Sequence, residues 1–394
     1  MPPTLAIGQI VEVTAERLAF GGFAIAHYSG LVLFVPFAAP GERLRVEVTA
    51  LEKKHARARI VEILERSPQR REARCRHFGD CGGCHFQHLD YALQLQQKAE
   101  FVRDALVRTG GFDWPLPVKV HSAGEWGYRA RTQLRLHRLG TRQLLGFHRA
   151  WTHDVIDVQE CPVMAPALEQ GLPAVRQALA TLEERDLPYQ IDGAAGIDGA
   201  VWAPDLPGLH KDLVEHQVGA FRYLIEPESF FQGHRGLVAE LVGGAVGELR
   251  GALAFDLYAG VGLFSLPLSQ HFTRVVAVED ERRAATLGRV NCKHNHCDNV
   301  SYLRKTTEQF LRDNRERPDL VLLDPPRLGA RPALPLLLQL AAPHLVYVSC
   351  DPNTLARDLR TLCDGGYAIE QVEGYDMFPQ TYHVECVARL QRHS

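Results

Sequence analysis

The stretch ALAFDLYAGVGLF, residues 252–264, sets an apolar run against one acid, Asp256, and two glycines, Gly260 and Gly262. Glycine adopts backbone conformations closed to other residues and lets a ligand approach the main chain. Such a stretch closes a buried strand and opens a helix. Outward from it the same texture recurs in RVVAVED (274–280), DLVLLDPP (319–326) and HLVYVSC (344–350), apolar runs that end in loops rich in Gly, Asp or Pro. From about residue 226 onward this pattern predicts α/β architecture with a doubly wound parallel sheet. Ligands of such sheets bind beyond the carboxyl ends of the strands.

Glu279 ends the next strand, 19 residues after Gly260. An acid at that distance suits the two hydroxyls of a ribose. A nicotinamide dinucleotide competes, but the third glycine of its fingerprint is missing, and Asp256 would stand where a pyrophosphate must sit. S-adenosylmethionine has no phosphate and carries an ammonium and a sulfonium, so a nearby carboxylate favours it.

The loop Asp324-Pro325-Pro326-Arg327 is stiffened by two prolines. Similar loops in amine-directed methyltransferases end in an aromatic residue that stacks on the target base. Here Arg327 ends it, and a thiol, Cys350, closes the succeeding strand. Taken alone, Cys350 reads more readily as a small buried residue ending a strand. C5 of uracil, however, is a poor nucleophile until a thiolate adds to C6. A helix following Cys350 is expected to lower its pKa from the free value of ~8.5. Glu385, in TYHVECVARL on the last strand, is the candidate base for the C5 proton.

The rest of the chain points to a polyanionic partner. Its 394 residues exceed one core and predict two or three domains. Residues 1–150 carry 22 Lys+Arg against 14 Asp+Glu, or +8, leaving −11 for the remainder of a chain whose net charge is −3. A basic front half suits nucleic acid. No basic leader or apolar run near ~18 residues stands out, so a cytoplasmic location away from membranes is expected, where disulfides rarely persist. Nine cysteines are then ligands, nucleophiles or buried thiols. Residues 8–64 read as five short alternating strands of a small barrel, with Lys53, Lys54, Arg57 and Arg59 available for phosphates. CRHFGDCGGC, residues 75–84, spaces three thiols C-x5-C-x2-C, a cluster able to pair by oxidation, hold a metal or stay inert. A helix is predicted over LDYALQLQQKAEFVRDALVRTGG, stopped by Gly110-Gly111. YRARTQLRLHR, read as a strand, puts Arg129, Arg131, Gln133, Arg135 and His137 on one face as a basic stripe.

Seven stretches in order, FGDCGGC, ECPV, SFFQ, DLYAGVGLF, DPPR, VSCDPNTLARDL and HVE, make the chain resemble the RNA 5-methyluridine methyltransferases, the RumA/TrmA group, over nearly its whole length, and most of all those acting on 23S rRNA. The resemblance implies three domains: a TRAM-like RNA-binding barrel over 1–66, a central α+β iron–sulfur domain over 67–225, and a class I Rossmann-like methyltransferase domain over 226–394. It implies Cys350 as nucleophile and Glu385 as base. Gln232, Tyr258, Gly260, Gly262, Glu279 and Asp324 would bind S-adenosylmethionine. Cys75, Cys81, Cys84 and Cys161 would ligate a 4Fe-4S cluster. Thr306 departs from the family pattern, where Asn or Asp commonly meets the adenine. The implied activity is methylation of C5 of one uridine in a structured RNA, 23S rRNA or else tRNA, by a monomer. A non-catalytic RNA-binding protein with a residual cofactor site is the rival from another class.

Overall fold

The computed structural model describes residues 5–140 and 142–393. Six N-terminal strands, β1 (Ile10–Thr14), β2 (Arg17–Ala19), β3 (Phe23–Tyr28), β4 (Leu31–Pro36), β5 (Arg43–Leu51) and β6 (His55–Glu65), form one sheet ordered β1-β5-β6-β4-β3-β2. Alternation along β1 and β5 sends Val11, Val13, Leu44, Val46 and Val48 into its core. Register shifts at three places between β5 and β6 bend the pair, and β4 pairs with β6 in parallel. The sequence reading of five strands is corrected to six. Strand β2 has three residues, too few for a period of two to declare itself.

Helix α1 (Tyr91–Asp104) continues as a wider turn through Thr109 and stops at Gly110-Gly111, where Gly111 takes φ +66°. A two-residue strand, β7 (Val120–His121), follows. Strands β8 (Arg131–Leu139), β9 (Arg142–His148), β10 (Val155–Asp157), β11 (Gln190–Gly196) and β12 (Gly199–Ala203) make a second sheet, ordered β10-β9-β8-β11-β12, and helix α2 (Pro166–Ala180) packs on it through Leu168, Leu172 and Val175. In β8 the apolar face is buried as the alternation predicts: Thr132, Leu134 and Leu136 point inward.

The hairpin β13 (Val214–Val218) and β14 (Phe221–Ile225) leads to α3 (Val238–Val246) and then to alternating elements: β15 (Gly251–Leu257), α4 (Ser265–Leu268), β16 (Phe272–Glu279), α5 (Arg282–His294), β17 (Val300–Arg304), α6 (Thr307–Asp313), β18 (Leu320–Leu323), α7 (Leu334–Leu340), β19 (His344–Ser349), α8 (Pro352–Asp364), β20 (Tyr367–Tyr375) and β21 (Glu385–Arg392). The sheet order is β17-β16-β15-β18-β19-β21-β20-β7. Five strands are parallel; β21 then runs antiparallel to β19 and to β20. The order reverses beside β15, which makes the carboxyl ends of β15, β16 and β18 the expected ligand crevice.

Packing cuts across the division expected at residue 226. Val102, Ala105, Leu106 and Val118 join the core beneath the large sheet, together with Leu359 and Leu362. Phe101, Leu93 and Leu89 join the barrel core. Lys98 of α1 and Asp376 are both fully buried and form an ion pair, with Tyr91 Oη donating to Asp376 Oδ2 at 2.8 Å. Helix α1 therefore serves two cores at once. Among the described residues, no helix is long and apolar enough to cross a membrane.

Candidate active site

At the switch point lies a cleft of about 540 Å³ whose walls include Tyr258 after β15, Glu279 and Asp280 at the end of β16, Thr306 and Thr307 at the start of α6, and Pro326 after β18. Tyr258 holds φ +63°, a left-handed conformation uncommon for a bulky residue. It turns the chain out of the strand and into the loop. Gly260 N donates to Glu279 Oε2 at 2.9 Å and Glu281 N donates to Oε1 at 2.8 Å, so one carboxylate ties the β15 loop to the end of β16. Gly262 has φ +98°, and a Cβ there would stand 2.9 Å from Leu266 Cδ1 and 3.1 Å from Tyr302 Oη. The Thr306 hydroxyl is engaged as the cap of α6, accepting from Gln309 N at 3.2 Å.

Of the expected cofactor residues, Tyr258 and Glu279 line this cleft, while Gln232, Gly260, Gly262 and Asp324 are not among its lining residues. Gln232 is buried with Oε1 unpartnered, and Asp256 is fully buried with Oδ1 unpartnered while Oδ2 accepts from Ser265 Oγ. Burial, with Glu279 adding and Ser265 opposing, raises Asp256 to about 7. Burial and then Asp256 raise Asp324 to about 7 as well. Asp256, Glu279, Asp324 and Glu385 thus crowd acids into apolar surroundings that disfavour their charge, and a cation arriving there would favour their ionised forms.

The loop Asp324–Arg327 reaches both this cleft and the thiol. Pro326 faces the cleft, whereas Asp324 and Arg327 act electrostatically on Cys350 and Glu385. The antiparallel pairing of β19 and β21 ends at Ser349 opposite Cys386; Cys350 follows Ser349, Glu385 precedes Cys386, and Glu385 acts electrostatically on the Cys350 thiol. The two groups that the sequence separates by 35 positions meet at one sheet end. Glu385 is buried, and its pKa is pushed well above the ordinary carboxylate range by burial and then Asp324, against Arg327.

One expectation is overturned here. The Cys350 thiol is raised to about 11 by burial and Glu385, with Arg327 opposing. The helix end was expected to lower it, but Asp351 caps α8, its Oδ1 accepting from Asn353 N at 2.9 Å and Thr354 N at 3.0 Å. The donors that would have favoured a thiolate are already spent on a carboxylate.

Sequence reasoning missed what holds this loop. Asp358 of α8 is fully buried and its Oδ2 accepts from Ala330 N at 2.8 Å and from Tyr347 Oη at 2.7 Å, just beyond Gly329. An acid on the buried face of TLARDL was the available signal. The segment before Glu385 is fixed similarly: Gln380, at φ +67°, exchanges hydrogen bonds with Gln94, and its carbonyl accepts from His85 N at 2.8 Å and Phe86 N at 2.9 Å. His85 directly follows Cys84, so the cysteine segment braces the loop leading to Glu385.

Cys75, Cys81, Cys84 and Cys161 line one cavity with Phe78, Phe147, Val158 and Arg129. Four soft donors in an apolar wall fit the chemistry of iron–sulfur ligation. Burial raises Cys81 to about 11 and Cys84 to about 12. Yet among the described residues no group of three or more His, Cys, Asp or Glu side chains is arranged to hold a metal ion. The basic stripe on β8 is also partly spent: Arg131 Nη2 donates to Pro227 O at 2.9 Å, and the Arg129 guanidinium lies 5.8 Å from the Phe147 ring centre.

Compared with known proteins, residues 5–61 match the TRAM domain, and residues 210–393 match the family described as tRNA (Uracil-5-)-methyltransferase. A protein of Gloeobacter violaceus named as an uncharacterized RNA methyltransferase is 33% identical over 99% of this chain and 98% of its own. The 23S rRNA (uracil(1939)-C(5))-methyltransferase RlmD of Enterobacter sp. (strain 638) is 33% identical over 97% of this chain and 96% of its own. The crystal structure of Pyrococcus abyssi tRNA (uracil-54, C5)-methyltransferase in complex with S-adenosyl-L-homocysteine is similar at a TM-score of 0.75 and 25% identity, over 96% of this chain and 99% of that one.

Proposed function

The chain belongs to the RNA uracil-5-methyltransferase family, is an S-adenosylmethionine-dependent enzyme of that kind, and on that premise we propose that it methylates C5 of a uridine in 23S rRNA through Cys350 and Glu385. The observation that supports the residue assignment is the closeness of Cys350 and Glu385 at the end of the β19–β21 pairing, beside the Asp324–Arg327 loop whose Pro326 lines the cleft. The choice of 23S rRNA follows the relatives matched end to end at 33% identity. A tRNA uridine is the second reading, favoured by the Pyrococcus enzyme.

S-adenosylmethionine supplies an electrophilic methyl group and a cationic centre. Asp324, raised to about 7, and its buried neighbours give a cation a reason to settle there, and its arrival favours their ionised forms. Gln232, with Oε1 free, Tyr258, Gly260, Gly262 and Glu279 would hold the rest of the molecule. Cys350 loses its proton to solvent, with the Arg327 guanidinium favouring the thiolate, and Sγ adds to C6 of the uracil. The ring's C5 then becomes electron-rich enough to take a methyl group. Glu385, as carboxylate, removes the proton still on C5, and the C6–S bond breaks with its electron pair leaving on sulfur, which frees Cys350 as the thiolate. The target base has to leave its stack to reach Cys350. Cys75, Cys81, Cys84 and Cys161 would hold a 4Fe-4S cluster that staples the segment bracing Gln380; no step of the methylation passes through it. The reacting groups come from one chain, so a monomer working on cytoplasmic RNA suffices.

Two measurements test this. RNA containing 5-fluorouridine, given with S-adenosylmethionine, should trap a covalent protein–RNA adduct, because fluorine cannot leave as a proton; no adduct would refute the mechanism. Mass spectrometry of RNA from a deletion strain should lose one 5-methyluridine from 23S rRNA. A loss from tRNA instead would establish the second reading.

A further inference from the structure

Four rings, none of them fully buried, follow one another from β6 through β4 and β3 to Trp151. His55 and Phe34 have centroids 5.2 Å apart, Phe34 and Phe23 6.1 Å, and Phe23 and Trp151 5.8 Å with planes 24° apart. Trp151 comes from outside the barrel, in the loop between β9 and β10. It is 59% exposed and holds φ +60°. A bulky residue in the left-handed region with its ring in water is costly twice over, which points from an observed outlier to a use. The loop is held in that shape by the cysteine segment: Ala150 N donates to Asp80 O at 2.8 Å, Gly82 N donates to His148 O at 3.0 Å, and Arg149 pairs with Asp80.

The flanking charge selects the occupant. Lys53, Lys54 and Arg57 are exposed and have no ion-pair partner among the described residues. Arg57 stands opposite Phe34, and His55 opposite Val32, in the β4–β6 pairing. Aromatic faces bordered by free cations suit a strand with unstacked bases and phosphates; a duplex offers the cations phosphates but no free base face.

We propose that Trp151, Phe23, Phe34 and His55 form a stacking platform for a single-stranded RNA segment outside the methylated uridine, its phosphates held by Lys53, Lys54 and Arg57. The proposal rests on the reading of the chain as an RNA methyltransferase. In the holoprotein, Trp151→Ala should weaken binding of a mixed-sequence single-stranded oligoribonucleotide roughly tenfold, and Trp151→Phe should recover most of it. Lys53→Gln with Lys54→Gln should flatten the salt dependence of binding by about 0.7 in log–log slope per lysine. The single strand, and not a blunt RNA duplex, should quench tryptophan fluorescence in the wild type and lose that quenching in Trp151→Phe. Unchanged binding in Trp151→Ala, binding as weak in Trp151→Phe as in Trp151→Ala, an unchanged salt slope, or equal quenching by the duplex would each overturn the platform. The 5-fluorouridine adduct separates the two levels: an adduct that forms while Trp151→Ala binds normally removes the platform alone, and an absent adduct removes the reading beneath it.

Discussion

Cys350 follows the last residue of β19 and Glu385 opens β21, just past the Ser349–Cys386 pair that ends their antiparallel pairing, and the Glu385 carboxyl acts directly on the thiol. A thiol that attacks and an acid that later removes a proton need to reach neighbouring atoms of one ring. Cys350→Ala is expected to abolish methylation and leave RNA binding intact. Glu385→Gln is expected to lower turnover by 10²–10⁴-fold while letting a methylated covalent adduct accumulate on ordinary uridine RNA, visible as a band of retarded mobility in a denaturing gel. Equal turnover in Glu385→Gln would assign the base elsewhere.

The same proximity gives a pH signature in the free protein. Burial and Glu385 together raise the thiol to about 11, with Arg327 opposing. Alkylation of Cys350 should therefore climb with pH up to that region. Replacing Glu385 by Gln removes a negative charge that disfavours the thiolate, so the midpoint should fall and alkylation at mildly alkaline pH should speed up. Arg327→Gln should do the opposite. Mass-spectrometric counting of modified Cys350 decides both.

The cofactor loop makes a steric prediction. Gly262→Ala would force a Cβ to within 2.9 Å of Leu266 at φ +98°, a conformation that costs an ordinary residue roughly 1–2 kcal/mol. Weakened S-adenosylmethionine binding by calorimetry, about tenfold, is expected; unchanged affinity would show that the loop repacks freely.

Lys98→Met should destabilise the fold by about 3–5 kcal/mol, because it strands the buried Asp376 carboxylate. Adding Asp376→Leu should recover much of that loss in urea melts. Equal midpoints for single and double variants would mean that the charge was never uncompensated.

Anaerobic reconstitution with iron and sulfide should load the chain with equal counts of both, and Cys161→Ser should reduce the load. Unchanged loading in Cys161→Ser would remove that residue from the ligand set.

Much of this was legible in the sequence because it is local. Apolar runs ending in DLYAG, DPPR and VSC announced the parallel sheet, its crevice and the loop bearing Cys350, and the alternation of β8 announced which side faces inward. What escaped has more than one cause, among them a neighbour whose charge was misjudged and partners distant along the chain. Asp351 neutralises the helix end that was expected to favour a thiolate. Asp358 and Gln380 brace the reactive loops through contacts made only after folding. Strand β2 is too short to show a period, and the attachment of β7 to the far edge of the large sheet has no local signature at all.

Because α1 supplies apolar side chains to both the barrel and the sheet beneath the reactive thiol, neither end of this polypeptide is a detachable part. A fragment beginning near residue 210 would keep the catalytic thiol and acid yet uncover the greasy seam that Val102, Ala105, Leu106 and Val118 had sealed. Expressed by itself it should clump rather than remain dispersed, and supplying residues 66–125 as a separate peptide should restore its solubility.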